Sequence, residues 1–470
     1  MLPSRQSLAA DPLRPLYHFL PPANWMNDPN GLIQWGDEYH LFYQYNPNGA
    51  VWGDIHWGHA VSKDLVNWED LPIALAPTPG GPDAGGCWTG CAVDNNGTPT
   101  LIYTGWKDGV ESVCLATSTD NLRTWHKHPN NPVISGPPAD HNLIGFRDPY
   151  VWRENGQWHM IIGAGTHRGS KALLYQSSDL IDWEYSHLIL LGNTHSTMCE
   201  CPNLFPLGNH HVLIYSPWQT DDTFYYSGEL EKLGLDFNQT GRVDYGTPLF
   251  APQVFQDKDG RWLMFGWLKE RRTVEAHTAA GWAGAMSLPR HLTLGPDGSL
   301  HSQPVAELQK LRGDQLVLEN MSIAADTERP LLVQGNCLEI KIDLISEASI
   351  GGLKVCCAPD DSEYTLISYN AATNELALDT QHASLSPAAM RERHTYTLPD
   401  TGSEPCKLHI FIDRSVIEIF TADGQCLTTR IYPTNPDSLG IKLFAQGDSL
   451  YVPRMNFWQL DAIWPSSPGS

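Results

Sequence analysis

Short apolar runs return at regular intervals along the first three hundred residues: HLFYQY, TLIYTG, HMIIGAG, VLIYSPW and WLMFGWL. They are too short for helices and rich in β-branched and aromatic residues, so they read as strands. A turn containing Gly or Asn precedes each one (WGDEY, NNGTP, ENGQW, LGNHH, DKDGRW), which makes each run the second arm of a hairpin. With Tyr43, Tyr103, Ile162, Tyr215 and Phe265 as equivalent centres, the steps are 60, 59, 53 and 50 residues. A second series, SKDLVNW, STDNLRTW and SSDLIDW, ends at Trp68, Trp125 and Trp183, 57 and 58 residues apart. A period of this size suits one four-stranded blade, and five centres predict a five-bladed β-propeller over 1–300.

The repeat stops after Leu294. PVAELQKLR, from Pro304 to Arg312, reads as a short helix with Pro at its start, inside a linker over 301–315. Beyond it CLEIKIDLI, GLKVCCA, YTLISYN and KLHIFIDRSVIEIFTADGQCLTTRIYP are again strand-rich, with Asp423-Gly424 as a hairpin turn. This predicts a two-sheet sandwich over 316–470. The fold class is therefore all-β: a five-bladed β-propeller followed by a C-terminal β-sandwich.

Composition narrows the partners. With 41% apolar and only 18% charged residues, the chain can bury large cores and does not read as disordered. A formal charge of −23 argues against nucleic acid and against an anionic membrane surface. The start, MLPSRQSLAADPLRPLYHF, lacks the apolar core of a secretion signal, and the 10 Cys follow no disulfide-scaffold spacing; a reduced, cytoplasmic location is the expectation. No glycine-rich phosphate loop is present, so no cofactor is expected. The two imidazoles of HWGH, His56 and His59, fall on opposite faces of a strand, and His195, Cys199 and Cys201 lack a fourth ligand, so no metal is expected either. Cysteines flanking an acid on a strand should point away from it. The 17 Trp can fill cores or stack on the apolar faces of sugars.

The acids supply the chemistry. Asp28 in NWMNDPNG, Asp148 in GFRDPY and Glu200 in MCECPNLF precede their blade centres by 15, 14 and 15 residues. The first strand of a blade lines the central channel of a propeller, so a shared phase implies that the three carboxylates converge. Each is followed closely by Pro (Pro29, Pro149, Pro202), which places them at irregular points of the ladder. Converging carboxylates suit glycoside hydrolysis, in which one stays ionised and another stays protonated.

WMNDPNG, GFRDP and ECP together resemble the signature set of glycoside hydrolase family 32, the β-fructofuranosidases and related fructosyltransferases. FYQYNP, WGDIHWGHAVSKDLVNW, CWTGCAV, FAPQVFQDKDGRWLMFGWLKE and GWAGAMSLPRHLTL are similar to family blocks in the same order. The resemblance implies a retaining enzyme that releases terminal β-D-fructofuranosyl units from a small sugar, sucrose first, with fructan hydrolysis or fructosyl transfer as alternatives. Asp28 would be the nucleophile, Glu200 the acid and base, and Asp148 the transition-state stabiliser beside Arg147. Asn27, Gln44, Trp52, Trp88 and Thr89 would line the fructosyl subsite, with Asp244 at the outer subsite; Trp25 and Met26, next to Asn27, are expected to bind the substrate as well. Three positions depart from the family pattern: Asn203 where a second acid is frequent, Cys199 where an aromatic is common, and CWTGC in place of a serine-rich version. A catalytically silent sugar-binding protein on this scaffold would be expected to lose one of the three acids; all three are present.

Overall fold

The computed structural model describes residues 4–191, 196–231, 234–346, 350–400, 402 and 404–464. Five antiparallel sheets occupy the N-terminal part. Their first strands are Asn24–Trp35, Gly86–Asn95, Ile144–Glu154, Cys199–Leu207 and Leu249–Gln256. Each first strand packs against the next, and the fifth packs against the first, so the sheets form a closed ring of five blades. All five predicted centres lie on second strands: Glu38–Asn46, Thr98–Lys107, Gln157–Thr166, His210–Pro217 and Trp262–Leu268. The ring is sealed by a parallel pairing of Asn24 and Trp25 with Trp282 and Ala283.

The Ser-Asp-Leu-Trp repeat has a local cause. Asp64, Asp120 and Asp179 each accept backbone N–H groups of the turn that follows the third strand. That turn drives Leu65, Leu122 and Leu180 into left-handed backbone (φ 63, 62 and 71°), a strained conformation for a γ-branched residue. All three leucines are nevertheless buried, and burial compensates the strain. The Trp68 and Trp183 indoles donate back to the carbonyls of Leu65 and Leu180.

Where a short helix was expected, Ala306–Leu311 is a 3₁₀ turn that buries only Leu308 and Leu311. Two six-stranded sheets follow, from Arg312–Ile323 to Leu450–Leu460, with an aliphatic core between them. The sandwich meets the propeller through a buried ionic network. Arg290 donates to Asp244 (2.8 Å) and to Glu418 (2.6 Å). His18 bridges Asp413 and Glu418 at 2.8 and 3.1 Å. Asp413 also accepts the backbone N–H groups of Leu16, Tyr17 and His18. The expectation of Asp244 at an outer sugar subsite is therefore corrected: it is 2% exposed and spent on Arg290, Thr428 and Gly246.

Candidate active site

Proline shapes the channel wall. Pro29, Pro149, Pro202 and Pro252 cannot donate to a ladder, and each first strand that holds one skips register there. The bulges open between Met26 and Pro29, Arg147 and Tyr150, Glu200 and Asn203, and Phe250 and Gln253. The first strand of blade 2 has no proline and shifts instead between Trp88 and Gly90, where a Cβ on Gly90 would lie 2.0 Å from the Ile102 carbonyl oxygen.

The three acids sit in three of these bulges but do not share one phase. Glu200 is still paired, opposite Ser216; Asp148 is the first unpaired residue of its bulge and Asp28 the second. Cys201 takes the place equivalent to Asp148, and both adopt left-handed backbone (φ 48 and 63°). That turn of the chain aims the Cys201 backbone N–H at Asp148 Oδ2 (3.0 Å). It also brings the Cys201 thiol within 3.5 Å of Asp28 Oδ2 and 3.6 Å of Asp148 Oδ2. The expectation that both cysteines point away thus holds for Cys199, in the core, and fails for Cys201.

The carboxylates line one cavity of about 640 Å³ together with Asn27, Gln44, Trp52, Trp88 and Arg147. Asp28 is held from several sides: Oδ1 accepts from Asn27 (3.0 Å), and Oδ2 from Gln44 (3.1 Å) and Thr89 (2.6 Å). Arg147 donates to Glu200 Oε1 through Nη2 (2.8 Å) and Nε (3.3 Å), and its Nε is 4.0 Å from Asp148. Its other terminal nitrogen donates to Glu111 (2.9 Å). Burial pushes the Glu200 carboxyl up and the Asp28 charge adds to this, against the opposing pull of Arg147 and Lys269. Burial pushes Asp148 well up too; Arg147 opposes, and the Glu200 and Asp28 charges reinforce it. A cluster with two carboxyls biased towards protonation can run acid–base chemistry near neutral pH.

The other sequence-predicted residues divide. Trp88 stacks on Trp106 (5.4 Å, 10°) and meets Trp52 edge-on. Trp52 is 56% exposed and forms an open apolar rim. Thr89 stands behind Asp28 as a hydrogen-bond donor. Trp25 lies outside the lining and acts through its indole N–H on Asn27 Oδ1 (2.7 Å). Met26 is fully buried in a core under blade 1 and has no access to the cavity, which corrects its assignment to the substrate. His195 lies outside the described residues. Asn203 donates to the carbonyls of Cys201 and Pro252 and accepts from the Val254 N–H, knitting blades 4 and 5 together.

Sequence reasoning passed over Trp218, Thr220, Asp221, Phe250, Trp267 and Lys269, all on the cavity wall. Trp218, Trp267 and Lys269 share a signal with Gln44: they sit at or just past the C-terminal end of a second strand. Glu111, on the third strand of blade 2, carries no sequence signal at all.

Known proteins resemble the chain along almost its whole length. The model of the glycosyl hydrolases family 32 N-terminal domain matches residues 18–304, and that of the family 32 C terminal matches 307–459. The chain is 38% identical to sucrose-6-phosphate hydrolase of Zymomonas mobilis subsp. mobilis, covering 92% of this chain and 89% of that protein. It is 34% identical to raffinose invertase of Escherichia coli, over 95% of each chain. The crystal structure of fructan 1-exohydrolase IIa from Cichorium intybus superposes with a TM-score of 0.87 at 28% identity, covering 96% of this chain and 98% of that one.

Proposed function

As the chain belongs to glycosyl hydrolase family 32, we propose that it releases β-D-fructofuranosyl units with retention and that sucrose is its principal substrate. It is a glycoside hydrolase acting on fructosyl substrates. The observation that carries the mechanism is the meeting of Asp28, Asp148 and Glu200 on one cavity, with Asp28 fixed by three side-chain donors and Glu200 biased towards its protonated form.

Asp28 attacks C2 of the fructosyl unit while the bond from C2 to the bridging oxygen breaks, and Glu200 delivers its proton to that oxygen. Glucose leaves. Glu200, now a carboxylate, takes a proton from water; the resulting oxygen attacks C2, the ester to Asp28 breaks, and fructose is released with its original configuration. Asp148 holds fructosyl hydroxyls and stabilises the positive charge that develops near C2.

The preference for a neutral disaccharide rests on the charge of the wall. Asp28, Asp148, Glu200 and Asp221 face Arg147 and Lys269. Both cations are already engaged, Arg147 with Glu200 and Glu111, and Lys269 with Asp221 (3.0 Å) and the Thr220 carbonyl (2.9 Å). Among the described lining residues no uncommitted cation waits for a phosphate dianion, and the ionised acids of the wall would repel it.

The test is release of glucose and fructose from sucrose, sucrose 6-phosphate, inulin and levan by the parent and by Asp28→Ala and Glu200→Ala. Expected are a loss of several orders of magnitude in both variants and a kcat/KM at least tenfold higher for sucrose than for its phosphate. NMR should find β-fructofuranose as the first fructose anomer. A preference for the phosphate overturns the substrate assignment. Full activity in either variant overturns the roles.

A further inference from the structure

Arg147 has a second carboxylate partner that the mechanism leaves unused. Glu111 reaches from the third strand of blade 2 and accepts from Arg147 Nη1 at 2.9 Å. Its other oxygen accepts the Phe146 backbone N–H, so the carboxylate is anchored to the residue preceding the arginine. The side chain is only 12% exposed, and the Arg147 side chain 14%. The guanidinium is thus clamped between two blades: Glu111 on one side, Glu200 on the other. An arginine given to Glu200 alone would lend it undivided positive charge and hold it ionised, which is the wrong state for a general acid.

We propose that Glu111 is a positioning residue that shares the Arg147 charge and so keeps Glu200 protonated in the free enzyme. This rests on the reading of Glu200 as the general acid. Groups from every element around Glu200 enter the balance. Blade 1 contributes Asp28, blade 3 Asp148 and Arg147, blade 4 the thiols of Cys199 and Cys201, and blade 5 Lys269 with its partner Asp221 on the adjoining loop. Burial raises both thiols, so neither contributes charge near neutral pH. Among the described residues of blade 2, the group ion-paired to Arg147 is Glu111. Its loss has one sign by two routes: it removes a negative charge from the far side of Arg147, and it frees the guanidinium to engage Glu200 and Asp148 more fully. Both favour the Glu200 carboxylate.

The readout is the pH profile of kcat/KM on sucrose, whose alkaline limb reports the acid in the free enzyme. Glu111→Gln keeps shape and loses charge; its alkaline limb should move to lower pH by about one unit, and Glu111→Asp should restore much of the parent profile. A variant that loses activity equally at every pH, or keeps the limb in place, overturns the proposal. Thermal unfolding of each variant separates a shifted limb from a misfolded chain. Glu200→Gln, run alongside, separates the two hypotheses: if it retains activity, the assignment of the acid fails. If it is inactive while Glu111→Gln titrates like the parent, only the role of Glu111 fails.

Discussion

Single side chains in this site are chosen for what they donate as well as for what they accept. Asn203 is the clearest case, because its amide N–H₂ serves two carbonyls, those of Cys201 and Pro252, at 2.9 Å each. A carboxylate there could accept from Val254 but would face two carbonyl oxygens. Asn203→Asp should therefore cost about 1–3 kcal/mol at neutral pH. The sign with pH follows: the introduced acid is pushed up in the folded state, so its penalty is smallest near pH 4, where its single O–H serves one of the two carbonyls, and grows as pH rises towards neutrality. Thermal unfolding at pH 4.5 and 7.5 checks this; an equal loss at both values would contradict it. At this scale the sequence was partly legible. Asp28 and Asp148 stand out because each precedes a proline that breaks the ladder, and Glu200 because it closely precedes one. The stepwise offset of Glu200, Asp148 and Asp28, the inward turn of Cys201 and the place of Glu111 depend on bulge geometry and on a neighbouring blade, which local pattern does not encode.

At the scale of the element, the period of strands and the Ser-Asp-Leu-Trp turn made the five blades readable, since both are local and repeat. The second and third strands of blade 1 carry a feature that the pattern hid. His40 and His59 meet across the ladder, Nδ1 to Nε2, at 3.0 Å, and Phe42 stacks on His59 at 3.9 Å. His40 Nε2 and His59 Nδ1 are buried with no hydrogen-bond partner. Burial, with Arg123 adding to it, holds His40 down at about 4; burial and then His40 hold His59 well below the usual imidazole range. Both groups bind protons more readily in the unfolded chain. Their contribution to stability is present above pH 6.5 and is lost as pH falls towards 4, by at most about 1.4 kcal/mol per pH unit for each group. His40→Gln should flatten the fall of Tm between pH 6.5 and 4 relative to the parent. A parallel pair of curves would count against the imidazole pair as the cause.

For the whole molecule, the two β units are joined by charge as much as by apolar surface. Arg290, Asp244, Glu418, Asp413 and His18 are all buried and mutually paired. Breaking such a network on one side leaves uncompensated charge, so Glu418→Gln should destabilise by about 3–5 kcal/mol and split one calorimetric transition into separate propeller and sandwich transitions. A single transition at the parent Tm would show that apolar packing alone joins the units. Asp244 was misjudged from sequence because a strand pattern does not say which rim of a propeller a loop faces. The same network has a consequence for how the protein is made. The His18 amide finds its acceptor 395 residues further along the chain. At ribosomal speeds of about 5–20 residues per second, roughly 20–80 s separate the emergence of these two groups. Until Trp282 and Ala283 emerge the strand carrying Asp28 lacks its parallel closing partner, and until Asp413 emerges His18 lacks its clasp to the sandwich. Truncation before Asp413 is therefore expected to lower activity on sucrose, which assay of a chain ending at residue 404 checks.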